Sequence, residues 1–359
     1  MAPSTFLLCT LAVLCRGVLA VTVFEALQSS NAGLFAKWVE QDPGLAPLYN
    51  SSQVQTVFAP VDDAFRAFNQ SGKLSSLRRL LVRQNLPSDQ GRIQACNNAN
   101  LLNGQSADDD PLGRQIDTLF PSSDPDRTQP VILPPPSSNN GNGTSGKRKR
   151  QNKNSTTQSF QFYSGLGNSV SVVQADIPYE GGVIHTLDGF FTIPQSFRDT
   201  FANTNATSFS SGLNRTGLSS IIDNPTGVTI FSTSNEVYQG SIQQNVTTAS
   251  LTSTLSNHII PNFLGYTPSL ANGTVLTTQS GNNLTVRFSN GEWYINNAKI
   301  IAPNQITSNG VAHIVDSLIV PSTSPSVPVY TGMAATHHKD FGKAGIIASI
   351  AYVLFAWLL

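Results

Sequence analysis

Residues 56–65 read Thr-Val-Phe-Ala-Pro-Val-Asp-Asp-Ala-Phe, and residues 229–238 read Thr-Ile-Phe-Ser-Thr-Ser-Asn-Glu-Val-Tyr. Both follow one frame: Thr, an apolar residue, Phe, three further residues, Asp or Asn, Asp or Glu, one residue, an aromatic. A second pair follows in the same order. Gly-Val-Ile-His-Thr-Leu-Asp at 182–188 is answered by Gly-Val-Ala-His-Ile-Val-Asp at 310–316. Two ordered boxes that each occur twice indicate two homologous domains. The boxes of the first half stand farther apart than those of the second, so the first half carries extra chain between them.

The boxes have a direct physical reading. A short apolar strand, 56–59, ends at Pro60 and passes into a helix over 63–68 that Asp62 is positioned to cap. Ala64, Phe65 and Phe68 then face inward. Gly182 and Gly310 supply a turn before an extended run. In that run Val183, His185 and Leu187 share one face, as do Val311, His313 and Val315. Asp188 and Asp316 come three residues after each His, on the opposite face, so they make no ready dyad with it.

Outward from the boxes, Phe24, Leu27, Leu34, Phe35 and Trp38 form a helical stripe broken at 29–33, and 74–82 is a second amphipathic helix. Residues 170–173 and 183–187 are expected strands. In the second half 218–222 and 228–231 precede a helix. Strands then follow at 274–278, 284–288, 293–295 and 311–319, with turns at Gly281-Asn282 and Asn290-Gly291. Helices early and strands late in each half predict an α+β fold. From about 120 to 158 the chain is rich in Pro, Ser, Asn, Gly and Asp, which predicts a disordered insertion in the first half. It carries Lys147-Arg148-Lys149-Arg150, a dibasic run suited to protease processing after Arg150 in the secretory pathway, or else a solvated basic run.

Composition narrows the function classes. Of 359 residues, 39% are hydrophobic and only 12% charged, with 21 basic and 21 acidic side chains. Balanced charge argues against a dedicated nucleic-acid binder. So few charges require another source of hydration. Nine Asn-x-Ser/Thr sequons, at Asn50, Asn69, Asn142, Asn154, Asn205, Asn214, Asn245, Asn272 and Asn283, point to N-linked glycans.

Both ends read as processing signals. Residues 1–20 form a signal peptide, with an apolar run at 6–14 and Val18-Leu19-Ala20 as the cleavage site. The uncharged tail, 344–359, is short for a spanning helix. A polar spacer and the small residues Gly332 and Ala334 precede it, with Ala335 next. This is the pattern of a glycosylphosphatidylinositol (GPI) signal, with Gly332 as attachment residue, 333–359 as propeptide and 322–332 as a Ser/Pro-rich stalk. The mature chain would carry 18 basic and 20 acidic residues, a net charge of −2. Cys96 would be its only cysteine, which excludes an intrachain disulfide.

The boxes resemble those of the fasciclin domain, a module of adhesion proteins. The resemblance covers about 21–194 and 196–321. It implies two tandem α+β domains, each a β-wedge or sandwich with helices packed at one end. The residues that carry it are Thr56, Phe58, Pro60, Asp62, Phe65, His185 and Asp188 in the first half, and His258, His313 and Asp316 in the second. Ser232-Thr233 replaces the usual Pro of the first box. The family's Tyr-His motif is reduced to Asn257-His258 in the second half and matched by neither residue at 83–87, so an integrin-type mechanism is not carried over. The first half also has one more residue between Asp188 and Pro194 than the second has between Asp316 and Pro321, which predicts a bulged last strand.

This resemblance implies a GPI-anchored glycoprotein on the extracellular face of the plasma membrane, and in the cell wall, that mediates adhesion. Its partners would be other cell-surface proteins, a second copy of itself, or wall polysaccharide, with the outer leaflet held through the lipid and no nucleic acid involved. Two alternatives stand beside it. One is a structural wall mannoprotein. The other is a wall-remodelling enzyme or small-ligand binder with a polar pocket near His258 or Cys96. No metal, cofactor or catalytic residue is expected: no G-x-S-x-G, H-E-x-x-H or close Cys/His set occurs, and Asp108-Asp109-Asp110 lacks the spacing of a calcium loop. His185 and His313 read as satisfied core histidines.

Overall fold

The computed structural model describes residues 21–71, 89–98, 112–135, 160–223, 227–242 and 245–320. The expected signal peptide, the helix at 74–82, Asp108–Asp110, Asn142, Asn154, Arg150, the stalk, Gly332 and the tail lie outside them.

The first half opens with helices α1 (Val23–Ser29), α2 (Gly33–Gln41) and α3 (Leu45–Tyr49), then strand β1 (Thr56–Pro60) and α4 (Asp62–Gln70). After α5 (Asp89–Ile93) come β2 (Ala95–Cys96), β3 (Arg114–Pro121), β4 (Thr128–Leu133), β5 (Gln161–Tyr163), β6 (Ser169–Tyr179) and β7 (Gly182–Leu187). The second half repeats the plan. It has α6 (Phe197–Asn203), α7 (Thr207–Thr216), α8 (Ser219–Ile222), β8 (Val228–Thr233), α9 (Asn235–Ser241), α10 (Thr248–Ser256) and β9 (Ile259–Pro261). Strands β10 (Val275–Thr277), β11 (Asn283–Ser289), β12 (Glu292–Ile295), β13 (Ala298–Thr307) and β14 (Gly310–Val315) follow.

Each half holds one seven-stranded sheet. The orders are β2-β1-β7-β6-β5-β4-β3 and β9-β8-β14-β13-β12-β11-β10. They match strand for strand, so the duplication read from two boxes extends through the whole sheet. At the centre of each, the two boxes pair in parallel: Phe58 lies opposite His185, and Phe231 opposite His313. Parallel strands lie covered on both faces. Accordingly every residue of β1, β8 and β14 is buried, and so is all of β7 after Gly182. The apolar Val/Ile/Phe runs of the boxes meet that demand.

Three expectations are corrected. The insertion does not begin at 120. Residues 128–133 form β4, buried after Thr128 and paired to both β3 and β5. Val131, Ile132 and Leu133 supply the apolar surface that a Pro/Ser/Asn-rich composition hid. The extra chain falls after it: residues 134–160 separate β4 from β5, where residues 290–291 alone separate β11 from β12. There the Asn290-Gly291 turn adopts positive φ at both positions, 57° and 80°, as a tight hairpin requires.

The last strand of the first half is not bulged either. β1 and β7 stay in register throughout. The irregularities lie in β6 and β13, where Asp176 and Asn304 both turn to φ 55°. The two occupy equivalent places, at the same spacing before His185 and His313. These bulges also hid most of β6 and all of β13 from a search for strict alternation.

Gly182 and Gly310, finally, are not turn residues but the first residues of β7 and β14. A Cβ on either would collide with a backbone carbonyl, of Gln55 or of Val228. They are glycines because two strands approach closely there.

Candidate functional site

The box residues converge on the core of each half. Each His ring packs on the box Phe of the neighbouring strand, Phe58–His185 and Phe231–His313, both with ring centroids 5.5 Å apart. Both histidines are fully buried. The Nδ1 of His185 accepts the Asp176 N–H at 3.0 Å, and that of His313 accepts the Asn304 N–H at 3.3 Å. So the bulge in β6 or β13 turns a backbone donor toward the imidazole. Nε2 of His313 donates to the Gly265 carbonyl at 2.8 Å. Burial pushes the His313 pKa down to about 4. A neutral ring with one donor and one acceptor fits this site, whereas an imidazolium would bring a second proton against the Asn304 N–H.

Asp188 and Asp316 lie just past β7 and β14 and clasp the adjacent strand. Asp188 Oδ1 accepts the Ser171 N–H at 2.7 Å while its own N–H donates to the Ser171 carbonyl at 3.0 Å. Asp316 does the same with Lys299, at 2.9 and 3.0 Å. Thr56 Oγ1 donates to the Asn98 carbonyl at 2.5 Å. Thr229 Oγ1 donates to the Phe263 carbonyl and accepts the Gly265 N–H, each at 2.7 Å. Phe65 packs against Trp38 and Phe190 in the first core.

Asp62 does not cap its own helix. It is the first residue of α4, and the N-cap is Val61, which offers no side-chain bond. Its Oδ1 instead accepts the N–H of Leu34 in the first turn of α2, at 2.8 Å. Asn235 serves the second half identically, accepting the Ser208 N–H of α7 at 2.7 Å. In both halves the backbone closes a second bond, from the Asp62 N–H to Asn31 and from the Asn235 N–H to Asn205, each at 2.8 Å. The acidic or amide residue of the first box is thus a cap delivered across the fold.

His258 has a counterpart that sequence comparison missed. Its Nδ1 donates to the Phe231 carbonyl at 2.5 Å, and its Nε2 accepts the Ile319 N–H at 3.1 Å. In the first half Gln94 does this work: its Nε2 donates to the Phe58 carbonyl, and its Oε1 accepts the Phe191 N–H at 2.8 Å. The backbones agree too, with Phe58 N–H donating to Gln94 and Phe231 N–H to His258 at 2.8 and 2.9 Å. Residues 83–87, where the motif was sought, lie outside the described residues. Phe191 and Ile319 stand equally far along the chain from His185 and His313, so the extra residue of the first half falls in the loop after Phe191.

His258 and Cys96 are both fully buried, and the Cys96 thiol points to the Asn98 carbonyl at 3.5 Å. A cleft of about 450 Å³ runs between the β3–β4 hairpin of the first half and the 308–309 turn of the second. Its walls are joined by Ser123 Oγ and Gln129 Nε2, which both donate to the Ser308 carbonyl at 2.9 and 2.6 Å. Beside them the halves also meet through bridges of Gly165 with Ile306 and Gln195 with Thr307, and through a cluster of Ile132, Tyr266, Ile306 and Val311.

Of the exposed large apolar residues among those described, Val173, Val275 and Ile301 stand on three different strands, and Val21 and Val320 stand outside the strands. Asn50, Asn69, Asn205, Asn214, Asn245 and Asn272 are exposed and Asn283 half-buried. Among the described residues no helix is long and apolar enough to cross a membrane, and no group of His, Cys, Asp or Glu could hold a metal ion.

The chain is 29% identical over 168 residues to a fasciclin-like arabinogalactan protein of Arthroderma benhamiae, covering 46% of this chain and 40% of that one. It is 31% identical over 166 residues to one of Cercospora beticola, covering 45% and 44%. The chain thus spans less than half the length of these two relatives. Human periostin matches at 23% over 180 residues, 48% of this chain and 22% of its own. A solved FAS1 domain pair from the insect cell adhesion molecule fasciclin I aligns over 81% of this chain and 98% of that one, at 15% identity and a TM-score of 0.36. A family model, the Fasciclin domain, matches residues 204–321.

Proposed function

We propose that the chain is a surface-displayed glycoprotein with two fasciclin domains, 21–194 and 196–321, and that it works by adhesion rather than by catalysis. The observation that carries this is the internal use of the polar residues that mark the boxes. Thr56, Asp62, His185, Asp188, His258, His313 and Asp316 spend their polar atoms on the fold itself. The boxes therefore build a scaffold, and recognition is left to its surface. The names of the fungal relatives, and the exposure of six sequon asparagines, support the same reading.

On this reading residues 1–20 direct secretion and Gly332 carries the GPI lipid. The partners are cell-surface proteins, a second copy of the chain, or wall polysaccharide. Arg150 lies in the 134–160 insertion, between two strands of one sheet, so cleavage there would leave the domain held together by strand pairing. Denaturing gels of the secreted protein that show only uncut chain would exclude that cleavage.

Beads coated with the glycosylated protein through its C-terminus test the adhesive role. Clumping of identical beads marks homophilic adhesion. Dispersed beads that also capture nothing from surface proteins or wall extract would leave an inert spacer, and the adhesive reading fails.

A further inference from the structure

The cleft between the halves holds a feature the fold does not use. Tyr266 lines it and is only 3% exposed. Its ring belongs to the cluster with Ile132, Ile306 and Val311. Its hydroxyl makes no hydrogen bond among the described residues. Burial pushes the hydroxyl's pKa up, with Asp117 adding to the shift and Arg127 opposing it. Both of those residues line the same cleft. Tyr266 therefore stands in the cleft wall together with a carboxylate and a guanidinium.

The remaining lining defines the ligand class. Asp124 holds Arg127 at 3.3 Å, so the one cation on the wall is already neutralised. Asp117 and Asp126 leave the lining net negative, which disfavours phosphate, sulfate, uronate and nucleic acid. The carboxylates of the wall are not gathered into a group that could hold a metal ion. What remains is the Gln115 amide, which donates to Asp117 at 2.8 Å, the accepting carboxylates of Asp117 and Asp126, and the hydroxyls of Thr128 and Tyr266, which can give and accept, beside the apolar surface of Pro130 and Leu264. Such a wall suits a ring that carries hydroxyls on its edge and C–H groups on its face. The volume lies in the range of small-ligand sites, roughly 300–1,000 Å³. The walls are preorganised, because Ser308 is gripped by Ser123 and Gln129.

We propose that this cleft is a binding site for a neutral saccharide, with the Tyr266 hydroxyl hydrogen-bonded to a sugar hydroxyl. The ligand reaches the site on the reading of the chain as a surface protein. The cleft exists only because the two halves dock, so neither half alone would carry it.

The test is titration of the whole glycosylated protein with laminaripentaose, mannopentaose, chitopentaose and cellopentaose, followed by calorimetry and saturation-transfer NMR. At least one should bind, and Tyr266→Phe should weaken it at least tenfold. That variant keeps the ring in its cluster, so its thermal midpoint should not fall. Gln115→Ala, on the exposed rim, should weaken binding by a smaller factor. No binding by any of the four overturns the proposal. So does equal binding by Tyr266→Phe, or preference for a lysine-rich peptide over every sugar. Bead clumping without sugar binding sinks this site alone; sugar binding with beads that stay dispersed sinks only the homophilic form of adhesion.

Discussion

Gln94 and His258 make the same two hydrogen bonds in the two halves of the chain, one to the box Phe carbonyl and one to a backbone N–H beyond the second box. An amide and an imidazole are interchangeable there because each offers one donor and one acceptor at similar reach. They differ in one respect, which is that only the imidazole titrates near neutral pH.

That difference predicts acid sensitivity in the second half. Burial holds His258 and His313 down at about 4, below their ordinary value of 6.5. Between those values the unfolded chain binds protons that the folded chain refuses. Stability is thus complete above pH 6.5 and declines as pH falls toward 4, by up to about 3 kcal/mol per histidine. His258→Gln, which copies Gln94, should fold normally and remove about half of this decline. Urea melts at pH 7 and pH 5 measure it, and an unchanged pH slope in the variant would contradict the assignment. NMR should also show opposite neutral tautomers, Nδ1–H for His258 and Nε2–H for His313.

The cap across the fold gives a second expectation. Asp62→Ala strands the Leu34 N–H and should cost about 1–2 kcal/mol. Asp62→Asn should cost much less, because Asn235 already holds the equivalent place. Equal losses in the two variants would mean that charge, rather than the hydrogen bond, matters.

Ser232 and Thr233 stand where the first half has Ala59 and Pro60, and their hydroxyls are buried without partners. Removing such a group relieves a desolvation cost, so Ser232→Ala should raise stability by about 1 kcal/mol, read from the denaturation midpoint. A loss would show that the hydroxyl is satisfied in solution.

Gly310→Ala should destabilise by about 2–3 kcal/mol or prevent folding, since its Cβ would collide with the Val228 carbonyl and press on the Phe197 ring. Gly182→Ala meets the Gln55 carbonyl in the same way. Gly240→Ala, where nothing lies near the added carbon, is the control. Similar stabilities for all three would remove the close-approach argument.

The duplication, the α+β class, the central strands and the burial of the box histidines were all legible in the sequence. Each rests on local pattern: a repeated frame, a run of apolar residues, a turn dipeptide. Such patterns act between residues near in sequence, and a linear reading captures them. Tertiary structure alone decided which helix Asp62 caps, that Gln94 stands for His258, and that 128–133 is a strand. It also decided that Tyr266 faces a cleft walled by both halves. Each of these depends on groups brought together over long separations, as Gln129 is brought to Ser308 from the other half of the chain. Backbone bulges, which shift the register of side chains, hid most of β6 and all of β13. Local preference sets what a segment can become, and packing chooses its partner.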